Sequence, residues 1–235
     1  MKVLSIFCDE SGQQDMSEGY YLMTIVVHDQ SVPIDTLVAD YERRIASHRL
    51  PDIPFHMKDL LHGHGEYDGV DPDVRKGLLM HFNALVRQLP VEYRTFSYSS
   101  YDTTRDNLAA RMRRDIVNFA YDHLEWFQSF EQVPVYYDED QQAVTTALHR
   151  AFDLILGEQA VEWRLISYRD YRLAQVADYF CSVELARMRY REGSYSRTYR
   201  KFYGQSQSFR RNFLKPARRK LIAHSASTTY SITME

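Results

Sequence analysis

The apolar run Val3-Leu4-Ser5-Ile6-Phe7 breaks off into Cys8-Asp9-Glu10-Ser11-Gly12, and this change constrains the chain more than any other stretch. A buried strand that ends in two adjacent carboxylates and a turn residue holds negative charge at the rim of a sheet. Burying that charge is costly unless a cation compensates it. Many metal-dependent phosphate enzymes open in this way.

The stretch from Tyr20 to Val27 is again β-branched and aromatic, with polar turn chemistry from Gly12 to Gly19, so the two segments predict a hairpin. Helical spacing of Leu37, Val38, Tyr41 and Ile45 follows, with Ser31 and Pro33 as start signals and an end near His48. Residues 51–71 read as an excursion from the sheet, and a helix is expected from Asp71-Pro72 to Gln88. Val91 to Tyr98 alternates like a half-buried strand, and a long amphipathic helix from Asp106 to Phe127 buries Leu108, Met112, Ile116, Phe119 and Phe127. Val133 to Tyr137 is a short strand running into Asp138-Glu139-Asp140, Ala143 to Leu156 is helical and Gly157 stops it. Val161 to Ser167 is another strand, and Asp170 is placed to cap a helix from Tyr171 to Tyr190. Strands alternating with helices after an opening hairpin indicate an α/β fold with a mixed sheet.

With 235 residues, 44% of them apolar and 26% charged, the chain suits one domain with insertions. Two cysteines, Cys8 and Cys181, are too few for a disulfide framework and lie in no metal-ligand spacing. The N-terminal apolar run is too short for a signal peptide and no stretch reaches membrane-span length, so the expectation is a cytoplasmic protein.

The net charge of −3 conceals an asymmetry. From Arg187 to Lys220 there are 12 Lys and Arg against the single acid Glu192, a charge of +11 that leaves −14 on the remainder. Tyr190, Tyr195, Tyr199, Phe202, Tyr203, Phe209 and Phe213 are interleaved with these cations. A basic, aromatic tract suits a polyanion with exposed bases, and Arg197, Arg200, Lys201, Arg210 and Arg211 are the candidate nucleic-acid contacts. The competing reading is a solvated helix face whose aromatics pack on the core.

Acids stand at element ends in three places: Asp9 and Glu10, Asp138 to Asp140, and Asp178 within the last long helix. If the first and middle strands are neighbours, their carboxylates converge on one rim and the helix adds a third. Gln175 lies three residues from Asp178, on the same helix face. Oxygen-only clusters of this kind suit Mg²⁺ or Mn²⁺. Two such ions ~3.5–4 Å apart activate a water and stabilise the leaving oxygen of an in-line displacement, so the reaction class is phosphodiester hydrolysis.

The strand into Asp9-Glu10-Ser11-Gly12, the later strand into Tyr137-Asp138, and Gln175-Val176-Ala177-Asp178 resemble the motifs of the DUF3800 family, whose fold is ribonuclease H-like. Phe55-His56-Met57-Lys58 with Leu60, Leu61 and Gly63 is similar to that family's His/Lys element. The resemblance runs from residue 3 to about residue 190. It implies a single ribonuclease H-like α/β domain over residues 1–235, a mixed sheet flanked by helices with helical insertions, and the basic, aromatic segment 187–220 read from the charge pattern is the C-terminal part of that domain. It also implies a metal site at Asp9, Asp138 and Asp178, with Glu10 and Glu139 beside it. Glu139 and Asp140 leave open which acid after the middle strand is the ligand.

Each residue has a plainer reading. Asp9 suits a backbone cap with Glu10 solvated, and Asp178 an ion pair with Arg172 or Arg187. The flanks Val176, Ala177, Tyr179, Phe180 and Cys181 nevertheless indicate a buried helix, where an Asp needs a partner. His56, His62 and His64 lack zinc spacing. His56 and Lys58 are better suited to touching phosphate or moving a proton, or to packing a loop. Cys8 is expected to point into the core. The sequence therefore favours a metal-dependent nuclease, with a non-catalytic nucleic-acid- or partner-binding module as the alternative. A haloacid-dehalogenase-like phosphatase, suggested by Asp138-Glu139-Asp140, ranks last because its Asp-x-Asp belongs on the first strand.

Overall fold

The computed structural model describes residues 2–137, 148–149, 151–153 and 161–222. The opening hairpin pairs β1 (Leu4–Gly12) antiparallel with β2 (Tyr20–Asp29), and β2 pairs antiparallel with β3 (Glu92–Ser99). On its other side β1 runs parallel to β4 (Val133–Tyr137), and β4 parallel to β5 (Val161–Leu165). The order is β3-β2-β1-β4-β5, so the first strand is central and the second alone is reversed. This is the mixed sheet, within an α/β fold, expected from the sequence.

Helices cover both faces. On one side lie α1 (Asp35–Ser47), α2 (Met57–His62), α3 (Pro72–Gln88) and the long α6 (Arg172–Glu192). On the other lie α4 (Arg105–Asp122) and α5 (Leu124–Gln128). Strand periodicity sorts the side chains between them: Phe7 joins the α6 side, whereas Leu4, Ile6 and Cys8 join the α4 side. With both faces covered, a central strand reads as a continuous apolar run, which is what residues 3–7 and 20–27 show.

Several boundaries differ from expectation. β1 does not stop at Asp9; it pairs with β2 as far as Gly12, so Asp9 and Glu10 are strand residues opposite Thr24 and Met23. Gly12 permits this, because at its φ of 101° a Cβ would stand 2.2 Å from the Tyr20 carbonyl oxygen. The expected helix from Asp106 to Phe127 is broken at His123, which leaves helical geometry (φ −119°, ψ 21°) between α4 and α5. Tyr171, rather than Asp170, is the N-cap residue of α6, and no side chain caps that end. The excursion at 51–71 contains α2 and a 3₁₀ turn, Gly65–Tyr67. Of the helix expected at 143–156, residues 148–149 and 151–153 are helical and the rest lie outside the described residues, as do Gly157 and the tail from Ser225 to Glu235. Leu221 forms a parallel bridge to Tyr93, on the outer edge of β3.

α6 has little amphipathic character because the fold encloses it. Leu173, Val176, Tyr179, Phe180, Val183 and Ala186 are all buried, and Gly193 ends it in the left-handed conformation. Its buried polar groups are tied to neighbours: the Tyr93 hydroxyl donates to Glu184 at 2.9 Å, and the Tyr179 hydroxyl to Asn83 Oδ1 at 2.7 Å.

Candidate metal centre

Asp9 stands on the α6 side of β1, two residues beyond Phe7 and so on the same strand face. Asp178 is presented from the middle of α6 and is only 7% exposed. It accepts the Met57 N–H at 2.6 Å, from the first turn of α2, and the Ser182 hydroxyl at 3.3 Å from the next turn of its own helix. The Cys181 thiol, three residues along α6, reaches both Asp9 and the edge of β2, with Sγ 4.0 Å from the Leu22 carbonyl oxygen. Small side chains at Ala174, Ala177 and Cys181 allow the helix to approach the strands this closely.

The electrostatics follow from that approach. Burial raises Asp9 well above the ordinary carboxylate range, and the charges of Asp178 and then Glu10 push it further. Burial likewise raises Asp178, against the opposing pull of His56, the Met57 N–H and the Ser182 hydroxyl. Among the described residues neither carboxylate is in an ion pair with Lys or Arg. The pairing of Asp178 with Arg172 or Arg187 that the sequence allowed is not formed: Arg172 bonds Gln175, Glu42 and Asp52, and Arg187 bonds Glu184 at 2.5 Å.

Glu10 belongs to the opposite face. Its neighbour Tyr21 donates to it at 2.7 Å, on the side facing α4. Alternation along β1 therefore separates two carboxylates that are adjacent in sequence. Cys8 packs on that same second core, as expected, and burial raises its thiol.

Because β1 and β4 are parallel neighbours with Phe7 beside Tyr136, the C-terminal end of β4 at Tyr137 and Asp9 lie at the same end of the sheet. Asp138, Glu139 and Asp140 follow directly in sequence and lie outside the described residues. Among the described residues no group of three His, Cys, Asp or Glu could hold a metal ion. Asp9 and Asp178, which influence each other electrostatically, are two buried carboxyl groups with no Lys or Arg partner among the described residues, a donor chemistry that fits a hard divalent cation.

The auxiliary candidates are placed unevenly. His56 stacks on Tyr168 with centroids 5.0 Å apart, its Nδ1 lies 2.8 Å from Asp59 Oδ2, and it acts electrostatically on Asp178. Lys58 is exposed on α2. Gln175 is 1% exposed and occupied, donating to the Tyr168 carbonyl at 3.1 Å and accepting from Arg172 at 3.0 Å. Arg75, buried on α3, fixes α2 from behind. It donates to the carbonyls of Leu60 at 2.6 Å and Val70 at 3.1 Å, and packs on Gly63, whose φ of 73° closes the helix.

Sequence reasoning missed Cys181 and the Met57 N–H. Cys181 was detectable, being three residues past Asp178 and hence on its face. A single turn such as α2 is too short for periodicity to reveal.

The basic C-terminal segment divides into an aromatic inside and a cationic outside. Arg197, Arg200, Lys201, Arg210 and Arg211 are exposed. Tyr190, Phe202, Tyr203, Phe209 and Phe213 are buried in the core on the α6 side, and Tyr195 stacks on Tyr190 at 4.2 Å. The expected aromatic platform for unpaired bases is therefore not on the surface, because these rings anchor the segment to the protein.

Two solved structures are similar along almost their whole length. A chain of the PCNA:RNase HII complex from Archaeoglobus fulgidus is 14% identical with a TM-score of 0.42, covering 99% of this chain and 97% of that one. The ribonuclease H2 from Pyrococcus horikoshii OT3 is 16% identical with a TM-score of 0.38, covering 93% and 98%. No protein-family model matches the chain, and no curated protein matches it.

Proposed function

We propose that this chain is a divalent-metal-dependent phosphodiesterase acting on nucleic acid, a hydrolase in which Asp9, Asp178 and Asp138 hold Mg²⁺ or Mn²⁺. The observation that carries the reading is the meeting of Asp9 and Asp178. Two buried carboxylates, one from a central strand and one from a buried helix, are close enough that the charge of Asp178 raises Asp9, and neither has a Lys or Arg partner among the described residues. Structural carboxylates in that situation are destabilising, and a cation between them removes the penalty. Bound there, the ion would activate a water and offset charge on the phosphate oxygens.

The remaining roles fall to the chain itself. The Met57 N–H and the Ser182 hydroxyl hold the Asp178 carboxylate in one orientation. His56, kept by Asp59 and Tyr168, is suited to carrying a proton at the margin of the site, and exposed Lys58 to meeting a phosphate. Glu10, on the far face, supports β1 through Tyr21, and Glu139 remains an alternative to Asp138. Membership of the DUF3800 family belongs to the same proposal and rests on the order of the sequence motifs. Placement in the cytoplasm does too; its support is that both cysteines are free, and no helix among the described residues is long and apolar enough to cross a membrane.

The test is cleavage of labelled single- and double-stranded DNA and RNA with Mg²⁺, Mn²⁺ or EDTA, using wild type, Asp9→Asn, Asp138→Asn and Asp178→Asn. Metal-dependent cleavage lost in all three variants is expected, and cleavage that survives them refutes the assignment. The hydrogen bonds to Asp178 favour a second reading, a non-catalytic module whose acids are structural. It predicts nucleic-acid or protein binding with no turnover and no response of thermal stability to metal.

A further inference from the structure

The segment after α6 continues through α7 (Arg197–Tyr203), α8 (Ser206–Phe209), a π-helical turn at Arg210–Leu214 and α9 (Lys215–Arg218). Residues 193–222 contain no Asp or Glu. Arg197, Arg200, Lys201, Arg210, Arg211, Lys215, Arg218 and Arg219 are all exposed, and none is in an ion pair among the described residues. This is a concentrated, unneutralised positive face on a protein whose net charge is −3. Its location is fixed by what lies beneath: Phe202, Tyr203, Phe209, Phe213 and Ala217 join the core that contains Phe7, Ala174 and Ala177. The cations therefore stand on the same side of the sheet as Asp9 and Asp178. Phe202 also packs under the Arg75 guanidinium, which seats α7 beside α2.

From this arrangement we infer that the basic face grips double-helical nucleic acid by its phosphates alone. Three observations select that ligand. The cations are carried on helical turns that the core holds in place, as suits the regularly spaced charges of a duplex. Single-strand binders add aromatic rings on which bases stack. Among the described residues the exposed large aromatics are Tyr101, Tyr121 and Tyr171, none of them in this segment. Finally, the side chains that dominate this face are Arg and Lys, whose contacts with phosphate position a duplex without reading its sequence. The inference deepens the nuclease reading and rests on it for the position of the scissile bond, but the binding itself does not require turnover.

Binding of wild type in EDTA, where the proposed site is without metal, separates the two. Fluorescence anisotropy over a series of KCl concentrations is measured with a duplex, its separated strands, homopolymer single strands and heparin. The duplex is expected to bind tightest, with equal affinity for unrelated sequences. With eight cations engaged, log K against log[KCl] approaches a slope of about −7, since each phosphate contact adds roughly −0.9. Arg210→Gln with Arg211→Gln, and Arg200→Gln with Lys201→Gln, each flatten that slope by about 2 units without changing the melting temperature. Single strands that bind as tightly as the duplex, affinity that follows base composition, a slope unmoved by both double variants, or binding of heparin with none of the duplex each overturn the inference. Duplex binding with these slopes but no cleavage when Mg²⁺ is added leaves the inference standing and removes the nuclease reading.

Discussion

Replacing Asp178 with Asn in the metal-free protein isolates the electrostatic strain at the centre of the site. Asn keeps the shape: its Oδ1 accepts the Met57 N–H now made at 2.6 Å, and its Nδ2 faces the Ser182 hydroxyl, which turns to accept. What is lost is the charge opposite Asp9. With an effective dielectric of ~20, repulsion between neighbouring like charges is on the order of 3 kcal/mol. Exchanging a charge-assisted hydrogen bond for a neutral one returns about 1 kcal/mol, so the variant gains about 2 kcal/mol at a pH where both carboxyls of the wild type are ionised. For a chain of this length that is roughly 4–8 °C in Tm.

The pH dependence carries the sign. Both carboxyls are raised in the folded protein, so between the unfolded carboxylate range and their folded values the native state binds more protons than the unfolded one. Wild-type stability from this pair is therefore present at low pH and lost as pH rises through the folded values. Melting curves in EDTA across pH 4 to 8 are expected to show the variant's advantage growing with pH and vanishing toward about pH 4. A difference between the two proteins that is independent of pH, or an advantage of Asp178→Asn that shrinks as pH rises, refutes the reasoning.

Other perturbations reach the supports of the site. Gly12→Ala forces a Cβ against the Tyr20 carbonyl at a positive φ, and is expected to lower stability by about 2–3 kcal/mol, read as a fall in Tm. Arg75→Met leaves the Leu60 and Val70 carbonyls without their donor; a loss of about 2–4 kcal/mol in chemical denaturation is expected, together with weaker metal binding as α2 loosens. Tyr93→Phe removes the 2.9 Å bond to buried Glu184 and is expected to cost about 1–3 kcal/mol without affecting metal affinity.

The hairpin, α3 and β4 were legible because their signals are local: alternating or continuous apolar runs, Asp71-Pro72 at a helix start, and a strand bounded by acids. Central placement of β1 was legible only as a condition, since nothing in residues 3–8 says which strand lies beside them. The side on which Glu10 falls could not be separated from that of Asp9 while both were taken as turn residues. Extending β1 to Gly12 imposes the alternation that parts them. The aromatics of the C-terminal segment misled because their spacing is the same for a core anchor as for a stacking surface. Burial decides between the two, and it depends on the tertiary neighbours of α6 and α2.

The central claim, that Asp9 and Asp178 form a divalent-cation site, is tested most directly by calorimetric titration of Mn²⁺ into wild type, Asp9→Asn and Asp178→Asn. Saturable binding in wild type that disappears in both variants is the predicted result. Equal heats in all three proteins, or no binding to wild type, contradict the account.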